Sequence, residues 1–204
     1  MAKILYLVRH GATAENLQGR FIGKSDVPLS ADGVEECKDL RAAMDQLQPE
    51  HVLLSPLLRC RQTVGHLFDG REIHPVVEPA LAEIDFGAWE GLTFGAIAEK
   101  NPVLTRAWSR LDDDFCFPDG EALKDFNLRM RRLVEMITAL EGEVILAVTH
   151  GGVIRHLLCQ LLGLSKNSYL YFHVATASMT AMEIHEGRGV LLQLNWRPAP
   201  LVRT

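Results

Sequence analysis

Two histidines and two arginines stand where short apolar runs of this sequence end. Arg9 and His10 follow the first run, Arg59 comes shortly after the second, and His150 follows the most apolar one. A guanidinium group offers paired donors that match a phosphate, and a neutral imidazole nitrogen can attack phosphorus. Phosphoryl transfer mainly needs positioning and charge neutralisation, which these side chains can supply without a metal ion. The residue types therefore predict a phosphoryl-transfer site.

The alcohol that leaves a phosphate ester must gain a proton, and a carboxylic acid near the pocket is the usual donor. Glu83 is the best candidate, within a loop-like stretch over residues 81–87. Asp85 is its rival, because side chains two residues apart share one face of an extended segment. The spacing alone does not choose between them.

The apolar runs predict the strands that position these residues. Residues 4–8, 51–55 and 144–149 show no alternation, which is typical of strands buried on both faces of a parallel sheet. A helical pattern follows each run. The helices predicted in this way are residues 30–47, a segment with Pro56 in its first turn, and residues 153–162. Alternating strands and helices predict an α/β three-layer sandwich, in which a mainly parallel central sheet has helices on both faces.

The rest of the chain is less regular. A third strand is predicted near residues 73–77, and residues 93–140 are predicted to be helical, with breaks at Pro102 and over residues 115–120. Alternating runs within residues 180–196 predict an antiparallel hairpin at the edge of the sheet. Ligands of such sheets bind beyond the carboxyl ends of the strands. The two histidines and the two arginines are therefore expected to meet at one edge.

Composition limits the classes of protein. The 204 residues carry a formal net charge of −5, with 48% hydrophobic and 23% charged residues. These values exclude a disordered chain, and the acidic balance argues against a nucleic-acid binder. The length predicts a single domain over residues 1–204. No apolar stretch is long enough for a signal peptide or a membrane span, so we expect a soluble cytoplasmic protein that does not bind membranes.

No metal or other cofactor is expected from the sequence. The four cysteines are widely spaced and form no C-x-x-C pair, so we predict free thiols rather than a zinc or redox motif. His10 and His150, together with Glu83 or Asp85, could ligate zinc. Arginines close to both histidines would repel such a cation, which makes the phosphate site the better interpretation.

Four blocks of sequence occur in a fixed order. They are LVRHG at residues 7–11, LSPLLRCRQT at 54–63, EIDFGAWEG at 83–91 and VTHGG at 148–152. In this order they resemble the histidine phosphatase superfamily, the phosphoglycerate mutase-like proteins. The resemblance extends over nearly the whole chain and implies an enzyme that works through a covalent phosphohistidine.

The resemblance also implies individual roles. His10 would be the nucleophile that is phosphorylated, and Glu83 would be the proton donor. The groups that would bind the phosphorylated substrate are Arg9, Asn16, Arg59, His150 and the backbone of Gly151. Ala12 and Glu15 depart from the family pattern, which often has a glutamate and a tryptophan at these places. We expect both at the rim of the pocket, where they would affect substrate contacts and not the chemistry.

Further residues distinguish the branches of the family. Phe86 and Phe94 stand where the mutases carry a tyrosine and a lysine for their substrate, and residues 109–114 are acidic where mutases have paired arginines. Residues 84–92 and 118–121 are similar to the phosphatase branch, which includes α-ribazole phosphatases and broad-specificity phosphatases.

These features predict a metal-independent phosphomonoesterase that acts on a small phosphorylated metabolite. One candidate substrate is α-ribazole 5′-phosphate of cobalamin biosynthesis. A phosphoglycerate mutase and a non-catalytic module that binds phospho-ligands are the alternatives. The sequence does not decide the oligomeric state, and it is compatible with a homodimer.

Overall fold

A six-stranded sheet runs through the molecule. The computed structural model describes residues 2–198. The strands are β1 (Lys3–Arg9), β2 (His51–Leu54), β3 (Val76–Val77), β4 (Val144–Thr149), β5 (Met179–His185) and β6 (Arg188–Trp196). Their order in the sheet is β3-β2-β4-β1-β5-β6. The first four strands in that order are parallel, and β5 and β6 add an antiparallel hairpin beside β1.

Helices cover both faces of this sheet. They are α1 (Ala14–Leu17), α2 (Ala31–Met44), α3 (Leu58–Leu67), α4 (Phe94–Lys100), α5 (Pro102–Ser109), α6 (Leu123–Ala139) and α7 (Gly151–Leu161). Short 3₁₀ turns lie at Pro79–Leu81, Gly87–Trp89 and Lys166–Tyr171. Helices α6 and α7 pack on one face, and α2 and α3 pack on the other. The predicted α/β sandwich with a mainly parallel sheet and an edge hairpin is confirmed.

The absence of alternation in β4 follows from these two layers. Ile145 and Ala147 point into the core beneath α6 and α7, whereas Leu146 and Val148 point into the core beneath α2 and α3. All four side chains are fully buried, so these positions of the strand must be apolar. The last residue, Thr149, is polar and buried, and its hydroxyl donates to the carbonyl of Leu81.

Several boundaries differ from the sequence-based expectation. Strand β3 has two residues instead of five, because Pro75 and Pro79 flank it and proline cannot continue a ladder of hydrogen bonds. Helix α3 begins at Leu58, so Pro56 lies before the helix and not in its first turn. Helix α7 begins at Gly151, two residues earlier than predicted, with His150 in extended conformation as its N-cap.

The sheet order brings the predicted residues to one edge. Strand β4 lies between β1 and β2, and all three run in the same direction. The segments that follow their carboxyl ends therefore meet beside the N-terminus of α7. No helix within residues 2–198 combines the length and the apolar composition needed to cross a membrane.

Candidate active site

The two predicted histidines face each other at this edge. His10 follows β1 and His150 follows β4, and their ring centroids are 5.1 Å apart. Both side chains are buried, with 3% and 0% of their surface exposed. The adjacency of β1 and β4 is what pairs residues that are so far apart in the sequence.

The two arginines are held by backbone carbonyl groups. Nη1 of Arg9 donates to the carbonyl of Val174 over 2.7 Å. Nη1 and Nη2 of Arg59 donate to the carbonyls of Ser25 and Gly23, over 2.8 and 2.6 Å. Carbonyl oxygens orient the guanidinium groups without neutralising their charge, so a strong positive potential remains in the pocket.

Unpaired polar atoms concentrate at this place. Four buried side-chain polar atoms of the described residues have no hydrogen-bond partner, and three of them are Arg9 Nε, Arg59 Nε and His150 Nδ1. Buried polar groups in folded proteins are normally paired. Donors that converge unpaired next to a histidine are suited to the oxygen atoms of a phosphoryl group.

The hydrogen bonds of the histidines indicate their tautomers. His10 Nδ1 lies 2.7 Å from the carbonyl oxygen of Gly11, which requires the ring proton on Nδ1 and leaves a lone pair on Nε2. His150 Nε2 lies 2.7 Å from Ser55 Oγ, and the amide of Leu57 donates to the same oxygen. When the serine hydroxyl donates to Nε2, the proton of His150 sits on Nδ1.

The surroundings keep both imidazole rings neutral. Burial lowers the pKa of His10 well below its usual value, and the charges of Arg59 and Arg9 lower this pKa further. Burial also lowers the pKa of His150, again with help from Arg59. A neutral ring with a free nitrogen lone pair is the reactive form of a histidine nucleophile.

Glu83 reaches the same edge from the segment before α4. Its Oε2 accepts a hydrogen bond from the amide of Gly152 over 2.9 Å, and its Oε1 accepts one from Ile84 over 3.1 Å. A Cβ atom at position 152 would overlap the Glu83 carboxylate, so this close approach requires glycine.

Asp85, the rival acid, lies elsewhere. Its carboxylate accepts from the amide of Gly87 and pairs with Lys24 over 3.5 Å. Glu83 lines the cavity at this edge, and Asp85 is not among the lining residues. Only the geometry of the folded chain separates them.

A cavity of about 380 Å³ lies at this edge, and its lining does not include the buried residues His10, Arg59 and His150. Its lining includes the predicted residues Arg9, Asn16, Glu83 and Gly151. It also includes residues that sequence reasoning did not assign to the site, namely Arg20, Phe86, Trp108, Arg155 and Tyr169. Phe21 also lines this cavity, whereas Trp89, Phe115 and Phe117 belong to the buried core.

One missed residue could have been found from its spacing. Arg155 lies four residues after Gly151, and this spacing places both on the same face of α7. The position of Tyr169 could not be predicted in this way, because the short 3₁₀ turn that contains it shows no periodic pattern of apolar residues.

A single carboxylate anchors the loop that orients Arg59. Glu90 accepts hydrogen bonds from the amides of Gly23 and Lys24, over 3.0 and 3.1 Å, and from the amide of Phe86 over 3.1 Å. The carbonyl groups that hold the arginine are thus fixed by a residue that does not itself contact it.

The expectation that Ala12 lies at the rim is wrong. Only 1% of its surface is exposed, and its amide donates to Glu36 of α2. Gly33 packs directly against its backbone, so α2 covers this part of the loop. Within residues 2–198, neither Ala12 nor Glu15 lines the cavity, and no three histidine, cysteine or acidic side chains are grouped as metal ligands.

Comparison with known proteins gives this architecture a family. The model of the histidine phosphatase superfamily (branch 1) matches residues 5–197. The chain belongs to the histidine phosphatase superfamily. It is 30% identical to the adenosylcobalamin/alpha-ribazole phosphatase of Salmonella typhimurium, over 95% of this chain and 98% of that protein. It is also 28% identical to phosphoserine phosphatase 1 of Hydrogenobacter thermophilus, over 94% and 91% of the two chains.

Solved structures agree with this assignment. The crystal structure of the alpha-ribazole phosphatase from Shigella flexneri superposes with a TM-score of 0.86 at 28% identity, over 95% of this chain and 96% of that chain. The prediction of an enzyme that hydrolyses phosphoric monoesters is confirmed by these relatives, which are phosphatases. Their names differ in substrate, so membership in the superfamily does not by itself select one.

The buried histidines predict how stability depends on pH. Burial lowers the pKa of His10 and His150 well below the usual value and that of His156 to about 4. Below about pH 6.5 the unfolded chain binds protons that the folded chain does not. Their contribution to stability is therefore complete above pH 6.5 and is lost as the pH falls.

Urea unfolding between pH 8 and pH 5 measures this effect. We expect a constant free energy of unfolding above pH 7 and a decrease approaching ~1.4 kcal/mol per pH unit for each such histidine at the acidic end. The variant His156→Asn should show a shallower decrease. Equal stability at pH 7 and pH 5 would contradict the buried neutral state.

Proposed function

We propose that this protein is a metal-independent phosphomonoesterase that forms a covalent phosphohistidine on His10. The observation that carries the proposal is the buried His10 ring, which is bonded through Nδ1 to the Gly11 carbonyl and lies 5.1 Å from the ring of His150. Arg9, Arg59 and His150 each keep a buried nitrogen without a hydrogen-bond partner within residues 2–198. This arrangement combines an activated nucleophile with preorganised positive charge.

In the first half-reaction, His10 Nε2 attacks the phosphorus atom. A nitrogen–phosphorus bond forms while the bond from phosphorus to the alcohol oxygen breaks, and the Glu83 carboxyl gives its proton to that oxygen. Arg9, Arg59 and His150 stabilise the charge on the transferring group. Asn16 and the amide of Gly151 at the start of α7 assist in holding it.

In the second half-reaction, water attacks the phosphorus of phosphohistidine. The Glu83 carboxylate takes a proton from this water, inorganic phosphate forms, and the bond to His10 Nε2 breaks. The enzyme returns to its starting protonation state, because Glu83 regains the proton that it gave to the alcohol.

For the alcohol, we propose α-ribazole as the first choice. Phe21, Phe86, Trp108 and Tyr169 line the outer cavity and suit a flat aromatic ring. Relatives that match nearly the whole chain carry this activity in their names. A mutase is disfavoured because Phe86 and Phe94 replace polar groups, and Phe94 is 51% exposed. A non-catalytic module is disfavoured by the complete set of reactive groups.

Three further expectations remain proposals. They are one domain over residues 1–204, a cytoplasmic location and a homodimer.

The nucleophile is tested by replacing His10 with alanine. We expect the variant to fold but to lose turnover, because the other imidazole at this edge, His150, has its Nε2 engaged by Ser55 Oγ. Rapid mixing of the native enzyme with labelled substrate should trap a phosphoryl group that is labile in acid and stable in base. Retained turnover in His10→Ala would remove the mechanism.

The acid is tested by varying the leaving alcohol. Glu83→Gln should lower kcat/KM for an alkyl phosphate by about 10²–10⁴-fold, the usual contribution of a positioned acid, and much less for p-nitrophenyl phosphate. Asp85→Asn is the matched control and should be milder on the alkyl ester. Equal losses on both esters would exclude Glu83 as the proton donor.

The alcohol specificity is tested with α-ribazole 5′-phosphate and ribose 5-phosphate, which lacks the ring system. We expect a higher kcat/KM for the former, and Trp108→Ala should reduce this preference. Equal kcat/KM for the two phosphate esters would reject the aromatic subsite.

With 3-phosphoglycerate and a bisphosphoglycerate primer, phosphate should be released. Efficient formation of 2-phosphoglycerate would instead favour the mutase.

A further inference from the structure

The segment that carries Glu83 is held by an arginine that lies outside the cavity lining. Arg129, on α6, donates from Nη1 to the carbonyl of Ala80 over 2.9 Å and to that of Ala82 over 2.6 Å. Its guanidinium carbon lies 4.8 Å from the centre of the Phe126 ring, which supports the plane of the group. The chain leading into Glu83 is thus fixed at two carbonyl groups.

The other edge of the same guanidinium binds Glu121. Nη2 of Arg129 donates to Oε2 over 2.8 Å, and Nε donates to Oε1 over 3.2 Å, which gives a bidentate pair. Glu121 in turn accepts a hydrogen bond from the amide of Asp85 over 3.3 Å, and its own amide donates to the Asp85 carbonyl over 2.9 Å. The pair therefore holds the backbone on both sides of Glu83.

This pair differs from the exposed ion pairs of the protein. Its side chains are only 21% and 19% exposed, whereas Arg41 and Asp69 in a comparable pair are 39% and 71% exposed. A lysine in place of Arg129 would keep the charge but could not serve the carboxylate and two carbonyl groups at once. The contacts require the flat, forked shape of arginine.

We infer that Arg129 and Glu121 are positioning residues that set the Glu83 carboxyl against the leaving oxygen. The inference rests on the proposed role of Glu83 as acid. Within residues 2–198 the Glu83 carboxylate accepts hydrogen bonds only from the amides of Gly152 and Ile84, so its place depends on the backbone that carries it. Displacement of a catalytic group by about 1 Å can cost about 10²-fold in rate. Residues 118–121, which resembled the phosphatase branch, thereby gain a physical role.

Leaving-group dependence distinguishes positioning from general stabilisation. We expect Arg129→Lys and Glu121→Gln each to lower kcat/KM for an alkyl phosphate by about 10–100-fold, because protonation of a poor leaving group depends on geometry. Both should lose less than about 3-fold on p-nitrophenyl phosphate, whose leaving group needs little protonation. The folded fraction is checked by urea unfolding, and the two variants serve as replicates if one folds poorly. Arg41→Lys, in the exposed pair, is the matched control and should affect neither ester.

A double variant completes the test. In a Glu83→Gln background, Arg129→Lys should cause no further loss on the alkyl ester, because the group that it positions can no longer donate a proton. Equal losses on both esters, or losses that add to that of Glu83→Gln, would show a structural role only. If Glu83→Gln separates the two esters and Arg129→Lys does not, this inference fails and the acid assignment stands. If Glu83→Gln does not separate them, both fail.

Discussion

The structure depends on the burial of two guanidinium groups, held by backbone carbonyl groups, beside two imidazoles. Arg59 is fully buried, and burial lowers the pKa of Arg9 to about 10, yet neither forms an ion pair with a carboxylate among the described residues. Their charge is solvated by carbonyl oxygens instead. This choice of partner keeps the potential positive, which holds both imidazoles neutral and favours a dianionic guest.

Solvation of the arginines by carbonyl groups requires that distant loops of the chain be held in place. The oxygens come from Gly23, Ser25 and Val174, which lie in loops and would be mobile if left alone. Glu90 fixes the first loop by accepting hydrogen bonds from its amides. The Glu90 carboxylate therefore acts one step outside the pocket, where it organises the backbone and not a ligand. Glu121 and Arg129 have the same relation to the segment of Glu83.

The sequence was sufficient for the parts of the site that follow buried strands. Apolar runs without alternation located β1, β2 and β4, and the ends of those strands placed Arg9, His10 and His150 at one edge. The choice of Glu83 over Asp85 needed the tertiary contacts of the two side chains, with Gly152 for Glu83 and with Lys24 for Asp85, which no local pattern encodes. Tyr169 and Trp108 line the cavity because of tertiary packing alone. The position predicted for Ala12 was wrong because α2, which lies further along the sequence, covers it. Gly33 of α2 allows the two backbones to touch, and no local pattern around Ala12 indicates this contact.

The pairing of β1 with β4 also determines when the pocket can exist during synthesis. The register joins Arg9 to Thr149, so the segments that carry the two histidines are about 140 residues apart along the chain. A nascent chain that has left the ribosome only as far as α6 has its first histidine but neither the second one nor the amides of α7. Such a long-range closure is slow, and a fragment cannot sequester phosphorylated metabolites. Anion binding therefore appears late and together with the completed sheet.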